Sequence, residues 1–162
     1  MQLFILDYAP RRAAGMLCDV HLRKMCLETA QILSGVLFLQ GRDPSPGMPK
    51  VYNPAHPVIK ALDSPQKINW VILYNKSLHR EYFRRFGRKH AYHFLCPQYR
   101  KRLWRDNVKL HKKTLSFARN FKDAEITEPD IVRAYRLYYR YKKTLLRFWR
   151  YTKTAEPEWL KF

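Results

Sequence analysis

The chain has 162 residues and a formal net charge of +19, from 32 Lys and Arg against 13 Asp and Glu. A surface this basic favours a polyanionic partner. A hydrophobic fraction of 46%, with 15% aromatic residues, excludes a disordered basic tail and is enough for one hydrophobic core. We therefore expect a single basic, helical, nucleic-acid-binding domain over residues 1–162.

The positive charge is concentrated in the C-terminal half. Residues 1–78 contain nine basic and five acidic side chains, whereas residues 79–162 contain 23 and eight. No apolar run approaches the ~18 residues of a membrane span, and the N-terminus lacks the pattern of a signal peptide. Three cysteines are too few for a disulfide framework. These features predict a protein of a reducing compartment, the cytoplasm, without a membrane partner.

The N-terminal half is predicted to contain two long helices separated by a loop. Asp7 and Pro10 mark the start of the first helix, which should run to about Leu39, because Asp accepts free N–H groups and Pro fits the first turn. Five prolines and two glycines within residues 41–57 are incompatible with a regular element. The second helix is expected to begin at Ser64-Pro65 and to end at Gly87.

The C-terminal half is predicted to contain two further helices. Residues 99–121 are expected to be helical despite their high charge density. Thr127, Pro129 and Asp130 mark the start of the last helix, which should run to about Tyr151. No alternating strand pattern is longer than a few residues. The predicted fold class is thus mainly α, a compact single-domain helical bundle with a Pro-rich loop.

The last predicted helix carries a stripe of basic side chains on one face. A solvated helix face usually has acidic residues four positions away, and none lies between Arg133 and Lys153. We expect this stripe, with a second basic group around Gly87, to contact phosphates, the alternative being an ordinary solvated surface. The stripe is Arg133, Arg136, Arg140, Lys143, Arg147 and Arg150, and the second group is Arg84, Arg85, Arg88 and Lys89.

The first predicted helix carries a line of polar residues between two apolar flanks. The line comprises Cys18, His21, Lys24, Glu28 and Gln31, so it is expected to face a cleft rather than open solvent. A Glu beside Lys and His in a cleft is suited to acid–base chemistry. The alternative is a buried polar network that only fixes the register of the helix.

Metal binding is not predicted from the sequence. Cys18 and His21 with Cys26, and either Cys96 or His90, are the zinc ligands that the chain offers, but no second Cys/His pair has finger-like spacing. Glycine-rich phosphate loops and the common hydrolase motifs are also lacking. We therefore expect neither a metal nor another cofactor.

Four sequence blocks occur in the order found in an uncharacterised family of phage proteins. They are C-D-x-H-x-x-K-M-x-x-E-x-A-Q at residues 18–31, H-P at residues 56–57, E-Y-x-x-R-F-G-x-x-H at residues 81–90, and A-Y-R-x-Y-Y at residues 134–139 followed by P-E-W at residues 157–159. Because the blocks extend over nearly the whole chain, the chain resembles that family.

More distantly, the chain resembles the pyrimidine-dimer DNA glycosylase family of phage endonuclease V, which has a compact helical fold. His21-Leu22 matches an H-L dipeptide early in that family's first long helix, and Glu28 matches a glutamate seven residues after the His. The resemblance implies that the N-terminal α-amine attacks the sugar C1′ to form a Schiff base, while the glutamate assists ring opening and β-elimination. These catalytic roles would belong to Met1 and Glu28, with His21 and Lys24 beside them.

The chain departs from the glycosylase pattern at two places. Arginines flank the family's glutamate, whereas Leu27 and Gln31 occupy the equivalent positions here, and Lys24 is the nearest cation on the same face. The family exposes its amine by removing the initiator Met before a small residue. Gln2 is large, so the amine is expected to remain that of Met1.

Two functions are therefore open from the sequence. The first is a DNA glycosylase/AP lyase of a bacterial or phage-infected cell, with DNA favoured as the partner and RNA left open. The alternative is a non-catalytic architectural subunit of a ribonucleoprotein or viral particle, binding RNA or DNA through its basic C-terminal half as part of a larger assembly. A basic membrane-surface protein is less favoured, because the apolar stripes are needed for the core.

Overall fold

The computed structural model describes residues 1–42, 46–51, 53–109, 116–121 and 124–161. These residues form α-helices and short 3₁₀ turns, and no strand occurs among them, so the predicted mainly α fold class is confirmed. Within this part of the chain, no helix combines the length and the apolar character needed to cross a membrane. The helices are α1 (Pro10–Gly15), α2 (Asp19–Leu39), α3 (Pro57–Lys60), α4 (Pro65–Phe86), α5 (Cys96–Leu103) and α6 (Ile131–Leu145), with 3₁₀ turns at His93–Leu95 and Glu158–Leu160.

The first predicted helix is in fact two helices, because the chain bends at residues 16–18 between α1 and α2. Tertiary partners satisfy the backbone groups that the bend exposes. The guanidinium of Arg85 donates to the carbonyls of Gly15 (2.9 Å) and Leu17 (2.7 Å), and the N–H of Cys18 donates to the Tyr139 hydroxyl (2.8 Å). The prediction of one continuous helix is wrong, because the bend depends on partners that lie far away in sequence and that no local pattern reveals.

The central helix is α4, and its predicted limits are confirmed. Pro65 occupies its first turn, and Gly87 follows its last turn with φ of +66°, a left-handed conformation that favours glycine. Trp70 and Tyr74 are fully buried on α4, which packs against α1, α2 and α5. This helix therefore fixes the position of α2.

A buried charged network joins α1, α2, α4 and the C-terminal segment. The Arg85 side chain is 0% exposed and donates to the carboxylates of Glu81 (2.7 Å) and Asp19 (3.0 Å). Thr152 donates to the same Asp19 through its backbone N–H (3.1 Å) and its hydroxyl (2.6 Å). Burial raises the pKa of Asp19, but the hydrogen bonds from Thr152 and Arg85 outweigh it and hold the pKa below its ordinary value.

The helix predicted over residues 99–121 is much shorter. It corresponds to α5, which ends at Leu103, and residues 104–109 and 116–121 are not helical, while residues 110–115 lie outside the described part of the chain. The chain leaves α5 at Trp104, and Asn69 of α4 then holds it. The Asn69 side chain accepts from the N–H of Arg105 (3.1 Å) and donates to its carbonyl (2.7 Å). Paired in this way, the backbone of Arg105 cannot continue the helix.

The last helix also ends earlier than predicted. Asp130 caps α6 by accepting from the N–H of Arg133 (2.8 Å), but the helix stops at Leu145 rather than near Tyr151. Beyond it the chain is extended and pairs with the start of α2, where the N–H of Asp19 donates to the carbonyl of Arg150 (2.9 Å). The prediction of one helix to Tyr151 is wrong because these long-range hydrogen bonds replace those of further helical turns.

Candidate active site

A cavity of about 270 Å³ lies between the N-terminus, α2 and the C-terminal part of α6. The four residues predicted to be catalytic all line it. Of the predicted polar line, His21, Lys24 and Glu28 line the cavity, whereas Cys18 and Gln31 do not. The lining residues are Met1, Gln2, Phe4, His21, Lys24, Glu28, Asn120, Tyr138, Lys142, Leu145 and Leu146.

Glu28 lies at the wall of the cavity with only 8% of its surface exposed. Its Oε2 accepts the backbone N–H of Gln2 at 2.8 Å, and its Oε1 lies 3.4 Å from the ammonium of Lys24, whose side chain is 62% exposed. A buried carboxylate requires such partners, since burial without them is costly. The hydrogen bond from Gln2 places the N-terminal backbone directly against the carboxylate.

The N-terminus is held in place from several sides. Residues 3–6 (Leu-Phe-Ile-Leu) are at most 3% exposed and anchor the segment in the core. Asn120 donates from its side-chain amide to the carbonyl of Met1 at 3.3 Å. The terminal residues therefore lie at the cavity because the apolar segment after them is packed, not because of the polar contacts alone.

His21 lies on the inner wall of the same cavity and is 7% exposed. Its Nδ1 is 3.0 Å from the Tyr139 hydroxyl and 3.4 Å from the Cys18 sulfur, and its ring packs edge-on against Trp149. Burial, with smaller effects from Lys24 and Lys142, lowers the pKa of His21 to about 4. His21 is therefore a neutral imidazole near pH 7, able to orient a ligand but not to act as a cationic acid.

Sequence reasoning missed several residues of the cavity, among them Lys142 and Tyr138. Both lie on the face of α6 that also carries Leu145, since positions i, i+4 and i+7 share a helix face. The ammonium of Lys142 lies 5.2 Å from the centre of the Tyr138 ring. The sequence did indicate this face, because Lys142 is one lysine on an otherwise apolar helix face. It was overlooked because the basic stripe lies on the opposite face.

The basic stripe of the last helix is only partly formed. Because α6 ends at Leu145, Arg147 and Arg150 do not belong to the helix face, although both are exposed. Arg136, Arg140 and Lys143 lie opposite the cavity and bind other parts of the chain. The stripe is therefore not one continuous cationic surface, and Arg133 is its exposed member on the helix among the described residues.

Arg136, Arg140 and Lys143 are less exposed than Arg133 because each contacts another part of the chain. Arg136 donates to the carbonyl of Leu6 (2.9 Å), and Arg140 donates to the carbonyl of Trp159 through both Nε and one terminal nitrogen. Lys143 pairs with Glu156 at 2.7 Å. These cations fasten the N-terminal segment and the C-terminal tail to α6, a use that the helical spacing alone does not reveal.

The second predicted basic group divides in the same way. Arg85 is buried in the charged network, so its predicted contact with phosphate is wrong. Arg84 is 47% exposed at its side chain and donates to Glu81 and to the carbonyl of Lys153. Arg88 and Lys89 are exposed just beyond the end of α4. The exposed cations of this group are thus Arg84, which is paired with Glu81, and Arg88 and Lys89 after Gly87.

The zinc ligands considered in the sequence do not assemble as a set. Cys18 and His21 are hydrogen-bonding partners of Tyr139, and His21, unlike Cys18, lines the cavity. Neither belongs to any group of three metal-binding side chains among the described residues, whereas Cys26, His90 and Cys96 do.

The fold and the cavity define a helical, basic protein whose N-terminus lies beside a buried carboxylate. Residues 1–94, more than half of the chain, match the family model of the pyrimidine dimer DNA glycosylases. The chain belongs to this family, as the more distant resemblance predicted. No curated protein and no solved structure gave a match. The family acts in DNA repair, so DNA is the nucleic acid partner, and nothing in the comparisons supports RNA or a nucleoprotein assembly.

Proposed function

We propose that the protein is a DNA glycosylase with AP-lyase activity, in which the N-terminal α-amine is the nucleophile and Glu28 is the acid–base residue. One observation supports this most strongly, namely the 2.8 Å hydrogen bond from the backbone N–H of Gln2 to Glu28 inside a cavity that Met1 also lines. The amine belongs to the residue directly before that N–H. Nucleophile and acid–base group thus lie within one small cavity.

The cavity suits a single extruded nucleotide better than a duplex. Its volume of about 270 Å³ is at the low end of ligand sites, and enzymes that act on a base take the nucleotide out of the stack. The rings of Phe4 and Tyr138 line it and offer apolar surface to a sugar and base. Lys24 and Lys142 supply positive charge for the adjoining phosphates.

The chemistry at the cavity has two stages. The neutral amine attacks C1′ of the deoxyribose and displaces the damaged base, which takes up the proton that the amine loses, so the protein nitrogen is bonded to C1′ of the closed sugar. Glu28 protonates the ring oxygen as the bond from C1′ to that oxygen breaks, and the iminium forms between the nitrogen and C1′ in the same step. The carboxylate of Glu28 then removes a proton from C2′, which expels the 3′-phosphate. Water finally hydrolyses the iminium and restores the amine.

The predicted phosphate-binding cations that are exposed would hold the DNA backbone. They are Arg88, Lys89, Arg133, Arg147 and Arg150, with the exposed part of Arg84. Phe148 follows Arg147 and is 71% exposed, so it is available to stack on a base next to the extruded one. The single domain over residues 1–162 would thus combine backbone contacts from its C-terminal half with catalysis at its N-terminus.

The substitution Glu28→Gln tests the acid–base assignment. It should reduce cleavage of a duplex with one abasic site by about 10²–10⁴-fold, the usual contribution of a general acid or base, while DNA affinity changes little. Glu158→Gln is the matched control, because that side chain is 85% exposed and lies in the C-terminal 3₁₀ turn. Equal cleavage by the two variants would exclude Glu28 as the acid–base residue.

A further inference from the structure

Two cysteines and two histidines surround His79 where α2, α4 and the start of α5 meet. We call this group the His79 cluster, and none of its members lines the cavity of Met1 and Glu28. α2, α4, the segment before α5 and the start of α5 all contribute to it. Its members are Cys26, His79, His90, His93 and Cys96.

The geometry of the cluster is that of two overlapping metal-binding groups. The ligand atoms of Cys26, His79 and His90 lie within 4.8 Å of one another, and so do those of His79, His93 and Cys96. His79 belongs to both groups, and its ring centre is 5.4 Å from that of His90 and 5.7 Å from that of His93. Neither group contains both cysteines, so a tetrahedral site with four ligands requires Cys26 and Cys96 to approach each other around His79.

The hydrogen bonding of the cluster is incomplete at its centre. His79 is 1% exposed, and neither of its ring nitrogens has a hydrogen-bond partner among the described residues. Nδ1 of His93 is also buried without a partner within the same part of the chain. A buried polar atom without a partner costs about 1–3 kcal/mol. The unpaired ring nitrogens of His79 and His93 within the His79 cluster therefore favour a ligand from outside the chain.

The protonation states of the histidines suit a metal. Burial, with smaller effects from His90 and His93, lowers the pKa of His79 to about 3, so its ring is neutral and has a free lone pair. Burial also lowers the pKa of His90, whose Nδ1 accepts from the N–H of Tyr92, which leaves its other nitrogen available. Neutral imidazole is the form that binds metal ions.

The two thiols are protonated in the absence of a metal. Burial raises the pKa of Cys26 and raises that of Cys96 to about 11, although nearby Lys76 lowers the latter slightly. The Cys96 thiol donates a hydrogen bond to the side-chain oxygen of Asn75 at 3.2 Å. A divalent cation would displace both thiol protons, as zinc does in Cys₂His₂ sites.

We propose that the His79 cluster binds one Zn²⁺ ion through Cys26, Cys96, His79 and one of the two imidazoles of His90 and His93. Nitrogen and sulfur donors without a carboxylate select zinc over magnesium or calcium. Binding releases one proton from each cysteine, so the bound ion and two thiolates are together neutral beside Lys76. The ion would join α2, α4 and α5, a structural role separate from the chemistry at the N-terminus.

The test uses the full chain, freed of metal by a chelator and titrated with Zn²⁺ and, separately, Co²⁺ under reducing conditions. The expected result is one ion per chain, a rise of the thermal unfolding midpoint with Zn²⁺, and the strong visible absorption of tetrahedral Co²⁺ with its sulfur charge-transfer band. Cys26→Ser and Cys96→Ser should each weaken binding at least about tenfold. Cys18→Ser should retain it, since that buried cysteine is outside the cluster.

His90→Ala and His93→Ala identify the fourth ligand, because only one of them should weaken binding to the degree seen with the cysteine variants. Absence of a stoichiometric site, or equal binding by wild type, Cys26→Ser and Cys96→Ser, would overturn the proposal. If a cysteine variant does not fold, the Co²⁺ spectrum of the wild-type chain decides. A spectrum without sulfur charge transfer contradicts the proposal, whatever the activity of the protein.

Discussion

Replacing Arg85 by Met should destabilise the protein strongly without removing a DNA contact. The substitution keeps the apolar stem but removes a guanidinium that is 0% exposed and that donates to Asp19, Glu81 and two backbone carbonyls. Asp19 retains the hydrogen bonds from Thr152 but loses its counter-ion. The carbonyls of Gly15 and Leu17 at the bend between α1 and α2 lose their donor.

The magnitude follows from the cost of leaving a buried charge uncompensated. Removing one partner of a buried ion pair costs about 3–5 kcal/mol. For a chain of this size, 1 kcal/mol corresponds to about 2–4 °C in the thermal midpoint, so Arg85→Met should lower it by roughly 6–20 °C. Thermal unfolding followed by circular dichroism measures this change, and urea unfolding at 25 °C checks the free energy.

Arg84→Met is the matched control, because it removes the neighbouring arginine that pairs with the same Glu81. The Arg84 side chain is 47% exposed, so its ion pair contributes about 1 kcal/mol or less. Below the unfolding transition, the DNA affinity of Arg85→Met should equal that of the wild type. Equal stability of the two variants, or a loss of DNA affinity in folded Arg85→Met, would refute the assignment of Arg85 to the buried network.

Three further outcomes are expected. His21 has a pKa of about 4 in the folded protein against an ordinary value of 6.5. Its neutral form therefore contributes its full stability above pH 6.5, and this contribution, up to about 3 kcal/mol, is lost as the pH falls to 4. The substitution His21→Gln should remove this change from the pH dependence of urea unfolding. Lys142→Ala should weaken DNA binding and reduce the slope of log K against log salt by about 1, because Lys142 lines the cavity. Lys60 is exposed and outside the cavity, so Lys60→Ala should leave the slope unchanged. A fluorescence titration measures both slopes. Gly87→Ala should cost about 1 kcal/mol in thermal unfolding, because its φ of +66° strains any residue with a Cβ, and an unchanged midpoint would contradict that reasoning.

The sequence predicted the candidate active site better than it predicted the DNA-binding surface. The polar line was predicted over Cys18, His21, Lys24, Glu28 and Gln31, and it is helical from His21 onward, because α2 is continuous from Asp19 while Cys18 precedes its first turn. The apolar flanks indicated a cleft, and the structure places His21, Lys24 and Glu28 in its wall. The position of the N-terminus beside α2 was predicted from the family resemblance alone, since no local pattern places Met1 there.

The basic stripe failed as a prediction because it assumed a helix that tertiary contacts interrupt. The helical spacing from Arg133 to Arg150 holds only as far as Leu145, beyond which hydrogen bonds between Asp19 and the segment 150–152 replace the helical ones. The number of basic residues also does not show which cations are exposed and which bind another part of the chain, as Arg140 does by donating to the carbonyl of Trp159. The burial of Arg85 has the same origin, since its backbone acceptors and Asp19 come from residues 15–19.

The sequence offered Cys26, His90 and Cys96 as zinc ligands but did not predict the His79 cluster, for a related reason. Its ligand spacing resembles no known finger, because Cys26 lies on α2 while His79 lies on α4 and Cys96 begins α5. Only the packing of these helices brings the side chains together. Zinc ligands that are scattered along a chain leave no local pattern, so their recognition requires the fold.

Borohydride trapping on a duplex with one abasic site distinguishes the proposed chemistry of the N-terminal amine from DNA binding alone. The wild-type chain should form a covalent adduct, because reduction converts the iminium into a stable amine, and peptide mapping should place the deoxyribose on the N-terminal nitrogen. A variant with a short N-terminal extension, which moves the amine away from Glu28, should bind the duplex but form no adduct. An adduct that persists in the extended variant, or that maps to a lysine such as Lys24, would contradict the account, as would the absence of any adduct with the wild type.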